Sequence, residues 1–310
     1  MSTPLLSFES ARVAVGGQVV LDGFDCKFDA GPVALLGDWE PMFGLLTGAA
    51  RLAAGRAALE GQDLRVASRS GKLGVSWLTA TLPLNWRVID YLRQSAQLLG
   101  LSSRDAKKES LAALNALGLG SWAGRKLQTL QPAERSAFMI AHATLKSPRV
   151  VALQAPFSGL SESAREWLGR VLDRALESRV WLVSFPDLPE PGTERELFRQ
   201  ATVASVLSMG KIVAQGPPDE VFAAGRRYFV RVGASPDRLL EVMKQLQIDV
   251  VPIPSGPYEG LPAGAAMHSF TMDLSPDGSR ESQLERLIQA AADHGIPIFH
   301  LTPLGLPNKP

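Results

Sequence analysis

Residues 33–48, VALLGDWEPMFGLLTG, constrain this chain more than any other stretch. Val33 to Leu36 is an apolar run with no polar alternate, the pattern of a strand inside a sheet covered on both faces. Gly37 ends it, and the small apolar residues beyond can start a helix. A nucleotide-binding α/β protein places its phosphate loop at such a junction. That loop needs glycines so that backbone N–H groups can cradle phosphate, a lysine for charge, and a serine or threonine for Mg²⁺. Asp38, Trp39, Glu40, Pro41 and Met42 stand there instead. The setting is present and the chemistry is not.

The flanking pattern is that of an α/β protein. LLSFESARVAV and QVVLDGFDCKFDAG read as strands ending at Gly31-Pro32, and GRAALEGQDL (residues 55–64) reads as a further strand and turn. In the middle, Val88, Tyr91, Leu92, Ala96 and Leu99 share a helical face, and Leu111, Leu114 and Leu117 share another that Gly118 and Gly120 stop. Residues 133–146 suit a helix with Pro132 near its first turn. RVVALQ is a buried strand, and SARE (residues 163–166) has the form of a capping box ahead of a stripe from Trp167 to Leu176. RVWLVSF is another buried strand, and TVASVLSMGKIVAQG is a hairpin. Strand and helix alternate between 149 and 185, which predicts a partly parallel sheet.

From about Gly225 the order becomes β-α-β-β-α-β, a split βαβ unit, with a loose tail LGLPNKP. This divides the chain into residues 1–224, with a helical subdomain over about 84–130, and residues 225–310.

With 310 residues, 45% hydrophobic and 20% charged, and a formal net charge of +1, the chain can bury a sizeable core. The near-neutral balance gives no support for a nucleic-acid partner. One cysteine, Cys26, leaves no intrachain disulfide or cysteine-based metal site and is expected to be a small buried residue. The start MSTPLLSFESARV lacks the pattern of a secretory signal, and no apolar run approaches a bilayer span. The expectation is a cytoplasmic protein with no direct membrane insertion.

VVALQAPFSGLS (residues 150–161) resembles the segment of ABC transporter ATP-binding subunits that reads four apolar residues and then Asp-Glu-Pro-Thr-Ser-Gly-Leu-Asp. Pro156, Ser158, Gly159 and Leu160 stand in register with it. The upstream TLQPAERSAFMIAHATLKSPRV, and the downstream VSFPDLPE and GKIVAQGPPDEVF, resemble further family segments in the same order. The resemblance covers about residues 5–222 and implies an ABC-type P-loop NTPase-like α/β fold with a helical subdomain. The C-terminal unit resembles the accessory α+β domain, ferredoxin-like, of the gliding-motility and sodium- or drug-export subfamily.

Carried over position by position, the resemblance implies that the site residues are lost. Val15 falls where the family stacks adenine on an aromatic ring. The loop Gly37, Asp38, Trp39, Glu40 to Gly44 is shorter than the family's and lacks its lysine. The glutamine that touches Mg²⁺ falls at Leu78 or Thr79. The signature Leu-Ser-Gly-Gly-Gln becomes Leu130, Gln131, Pro132, Ala133, Glu134. Gln154 replaces the metal-side aspartate, Ala155 the general-base glutamate, Ser161 the aspartate that follows, and Pro186 the switch histidine. In the family's dimer each site joins one chain's phosphate loop to the other's signature, and this chain lacks both. No bound cofactor or metal is expected, and no enzymatic activity.

The implied role is a structural or regulatory subunit that docks on a membrane permease-like partner, an active ATPase paralogue, or both. An atypical working ATPase and a free cytoplasmic scaffold are the alternatives. Trp77, Leu82, Pro83 and Trp86 fall where the family receives the coupling helix of its membrane subunit. Trp77 and Trp86 either close the core or anchor an interface. Asp187 and Glu190 suit a solvated loop, and His142 a packing or capping role. His268, His294 and His300 lack partners at metal spacing.

Overall fold

Burial alternates along β1 (Leu6–Val15) and β2 (Gln18–Phe28), and the two pair as an antiparallel hairpin. β3 (Val33–Gly37) is buried from Val33 to Leu36 and leads into α1 (Glu40–Thr47). β4 (Arg51–Leu59) returns along β1, and β5 (Gln62–Asp63) completes a four-stranded sheet in the order β2-β1-β4-β5. The short helix α2 (Leu64–Arg69), which the sequence pattern did not reveal, begins where Asp63 caps it: the Asp63 Oδ1 accepts the N–H groups of Arg65 and Val66. β6 (Leu73–Ser76) follows.

The helical stretch is α3 (Val88–Leu98) and α4 (Ser103–Ala116), packed on each other. α5 (Pro132–Ala143) has Pro132 in its first turn and stops three residues short of the expected end. The Thr144 hydroxyl donates back to the Ala141 carbonyl, and Lys146 and Ser147 take positive φ, which a helix does not allow.

β7 (Val150–Leu153) leads to α6 (Glu162–Leu176). The expected capping box at residues 163–166 is not the helix start: Ser161 holds extended backbone (φ −67°, ψ 162°), so Ser163 already lies inside the first turn. β8 (Val180–Phe185), α7 (Thr193–Arg199), β9 (Val203–Ser208) and β10 (Lys211–Gly216) complete the first unit. Its second sheet has the order β10-β9-β3-β8-β7-β6. β3 is central and runs parallel to β8 and β9, while β9 and β10 form the expected antiparallel pair. One core joins both sheets, with Trp39, Met42, Phe43 and Leu46 of the α1 region among Phe8, Phe24, Phe28 and Leu35.

This computed structural model describes residues 3–77, 81–208, 210–224, 227–233, 236–246, 248–253, 268–274 and 280–303. It separates into Met1–Pro218 and Asp219–Pro310, a boundary earlier than residue 224. α8 (Pro218–Ala224) begins the second unit, followed by β11 (Arg227–Val232), α9 (Pro236–Gln245), β12 (Asp249–Ile253), β13 (His268–Asp273), α10 (Arg280–Asp293) and β14 (Ile298–Pro303). The four strands are antiparallel in the order β12-β13-β11-β14. Tyr228, Val230, Phe270 and Met272 face a core with Val242, Met243, Leu287 and Ala291 of the two helices, while Val251 is 63% exposed.

Among the described residues no helix is long and apolar enough to cross a membrane, and no cluster of His, Cys, Asp and Glu side chains is placed to hold a metal ion. Cys26 is buried, and burial pushes its thiol up to about 12.

Candidate functional site

The carboxyl end of a central parallel strand is where open α/β sheets bind ligands. β3 ends there at Gly37, whose positive φ of +94° and approach to the Leu207 carbonyl leave no room for a Cβ. The connection to α1 is only two residues long, Asp38 and Trp39. The backbone N–H of Asp38 donates to the Leu207 carbonyl (3.0 Å), and that of Trp39 to the Gly37 carbonyl (2.9 Å). Met42 donates to the Trp39 carbonyl (3.1 Å), and Pro41 has no N–H. Of the five positions from Asp38 to Met42, Glu40 alone has an N–H outside these bonds.

Glu40, Pro41 and Met42 are helical rather than loop residues, and Gly44 lies inside α1. A Cβ on Gly44 would come within 2.9 Å of the Ala50 Cβ, so this glycine serves the packing of α1 on the chain entering β4. Trp39 turns inward and is fully buried. Its indole N–H donates to the Leu36 carbonyl (3.1 Å), and its ring lies 6.2 Å edge-on from Phe24 and 6.0 Å from Phe28. Asp38 and Glu40 remain exposed at the helix start. This junction carries two carboxylates and no cation.

β7 and β8 bring the next residues to the same sheet edge, since Leu36 aligns with Phe185 and Leu153 with Val183. Gln154 is buried and donates its backbone N–H to the Ser76 carbonyl (3.0 Å). Ala155 is buried with φ +42°, and the Ser184 hydroxyl accepts its N–H (3.0 Å). Pro186 is exposed just past β8, and Ser161 is the N-cap of α6. Gly37, Gln154, Ala155 and Pro186 thus share one edge, and none of the four bears a group able to take a proton at neutral pH. Val15 is 44% exposed, and Leu78 and Thr79 lie outside the described residues.

Leu130 is buried, and the four residues after it open α5. Gln131 is the N-cap, Pro132 the first helical residue, and Ala133 follows. The Glu134 carboxylate accepts the Gln131 N–H (2.9 Å) and both Nη groups of Arg125 (2.7 and 2.8 Å). Arg125 also donates to the Thr129 carbonyl and lies 5.2 Å from the ring centre of Trp122, which stacks on Trp167 at 5.8 Å. The Arg125 hydrogen bonds hold the Glu134 carboxyl below its ordinary range. Sequence reading missed this clamp; the Gln-x-x-Glu spacing is the signal that could have found it.

His142 on α5 packs beside Tyr91, at 5.6 Å between rings, and among the described residues its buried Nδ1 has no hydrogen-bond partner. Burial pushes its pKa down to about 4, partly offset by the Val75 carbonyl, so the ring is neutral at pH 7. Glu194 is pushed up to about 7 by burial, opposed by Arg165 at 3.5 Å and reinforced by Glu190 and Asp187. His294 is exposed, and the side chains of His268 and His300 lie outside the described residues.

Of the four expected docking residues, Leu82 is buried, Trp77 and Pro83 are half-buried, and Trp86 is 44% exposed. Among the described residues the buried Trp77 indole nitrogen has no hydrogen-bond partner. Trp86 follows the exposed Leu84, and both carbonyls accept backbone N–H groups, from Leu127 (2.9 Å) and Gln128 (3.0 Å). The exposed apolar pair therefore rides on a pinned segment.

No protein-family model matches the chain. It is 26% identical to the Fe(3+) ions import ATP-binding protein FbpC of Streptomyces coelicolor, over 99% of this chain and 90% of that protein. It is 29% identical to the hemin import ATP-binding protein HmuV of the same organism, over 69% of this chain and 78% of that one. Among solved structures, a nucleotide-free ATP-binding cassette from an ABC transporter superposes with a TM-score of 0.57 at 17% identity, covering 69% of this chain and 91% of the other. This chain has the ATP-binding-cassette fold.

Proposed function

We propose that this chain is a cassette-fold subunit of a membrane transporter complex that has lost ATP hydrolysis and serves a structural or regulatory role. The observation that carries the reading is the β3–α1 junction. A triphosphate with Mg²⁺ needs converging amides, a cation and a hydroxyl. Here Asp38, Trp39 and Met42 spend their N–H groups within the protein, Pro41 has none, and Trp39 sends its side chain into the core. The exposed carboxylates of Asp38 and Glu40 oppose an anion. Across the sheet edge, Gln154, Ala155 and Pro186 offer no general base, and Glu134 is engaged by Arg125 and the Gln131 N–H. The residues present do not fit Mg-ATP.

What remains is the partner surface. The relatives are import ATP-binding proteins, which supports a permease-like membrane partner reached from the cytoplasm. The subfamily implied by the split βαβ unit belongs to the same proposal. The exposed Trp86 and Leu84 on their pinned segment are the apolar anchors for docking. The test is co-purification from membranes. Trp86→Ala, folded by thermal unfolding, is expected to lose the membrane partner at low and high salt alike, because the contact is apolar. Full retention of the partner by folded Trp77→Ala and Trp86→Ala variants sinks this docking site.

A further inference from the structure

A cleft of about 810 Å³ opens at the C-terminal end of α1, away from the Gly37 junction. Its walls are the last turn of α1, the start of β4, α2 and the Gly16–Gly17 turn between β1 and β2. Such a volume suits a small organic ligand. The half-buried Leu45 and Leu52 give it an apolar side.

Its charges are lopsided. Arg51, Arg65 and Arg69 all line it and are all exposed. Arg65 and Arg69 lie four residues apart on α2 and share a face. Among the described residues none of the three guanidinium groups makes an ion pair. The carboxylate that lines the cleft, Asp63, is already occupied, accepting the backbone N–H groups of Arg65 (3.0 Å) and Val66 (3.4 Å) as the cap of α2. The lining carries three cations against one anion, an excess of two charges.

We propose that this cleft binds a small organic phosphate. A phosphomonoester carries a charge of about −1.5 to −2 at neutral pH, which matches the excess. Guanidinium forks take phosphate oxygens in pairs, and the organic body rests on Leu45 and Leu52. The cleft shares no residue with the Gly37–Trp39 junction.

The experiment titrates the full chain with phenyl phosphate, inorganic phosphate and phenylacetate, following the backbone amide resonances of Gly16, Gly17 and Arg65. Phenyl phosphate is expected to saturate and to bind at least about tenfold tighter than either of the others. The double variant Arg65→Gln/Arg69→Gln, checked by thermal unfolding, is expected to weaken it by at least about tenfold. Should that variant unfold, Arg51→Gln on β4 takes its place with the same expectation. Absence of saturable shifts overturns the proposal, as does unchanged binding in the folded variants. Equal binding of inorganic phosphate overturns the organic body, and equal binding of phenylacetate overturns the phosphate.

Discussion

Trp39 is the residue on which the nucleotide argument turns, and it is a core residue. Its indole touches Phe24 and Phe28, donates to the Leu36 carbonyl and has no exposed surface. Trp39→Ala therefore removes a large buried ring and is expected to cost about 3–5 kcal/mol in urea unfolding. A loss within experimental error would place the ring outside the core. His142 makes a second prediction, in pH. Its pKa falls from an ordinary 6.5 unfolded to about 4 folded, so between those values the unfolded chain binds more protons. Its contribution is fully present above pH 6.5 and is lost as pH falls toward 4, by roughly 3 kcal/mol in the limit. His142→Gln is expected to flatten the stability profile across that window. An unchanged slope would contradict a buried neutral ring. The burial of Trp39 could not be read from the sequence: a tryptophan two residues past a glycine shows its type and not which way a two-residue connection turns it.

At the level of elements, the opening of α5 shows how a site segment becomes a structural one. Glu134 closes the helix start on Gln131 and holds both Nη groups of Arg125, with both side chains partly screened from water. A double-mutant cycle on Arg125→Ala and Glu134→Ala is expected to give a coupling of about 1 kcal/mol, above that of most surface pairs because the fork is bidentate. A coupling near zero would leave the cap without the clamp. Long patterns were legible in the sequence: the apolar run of β3, the face of α3, the alternation of the β9–β10 hairpin. Short elements were not. α2 and α7 span six and seven residues, too few for a helical period to declare itself. The start of α6 differs from the expected one because Ser161 and Ser163 can both serve as a cap, and the extended backbone of Ser161 chooses between them.

For the whole molecule, the partly parallel sheet was legible because strand and helix alternate between residues 149 and 185, whereas the cassette fold was legible only through the resemblance of residues 150–161 and their flanking segments. The β-α-β-β-α-β order of the second unit was legible as a pattern of elements, and the structure adds that its antiparallel first strand buries Tyr228, Val230 and Val232 at alternate positions. The arginine cleft was not legible. Arg51 and the Arg65–Arg69 pair come from β4 and α2, and tertiary structure alone brings them around one space. Calorimetric titration of Mg-ATP into the folded Arg65→Gln/Arg69→Gln chain asks whether the fold persists without its nucleotide chemistry, because that variant separates the β3–α1 junction from the cleft. No saturable heat is expected at millimolar nucleotide, and no ligand-dependent rise in Tm of the size that binding would impose. A micromolar Kd with Mg-ATP in that variant would contradict this expectation.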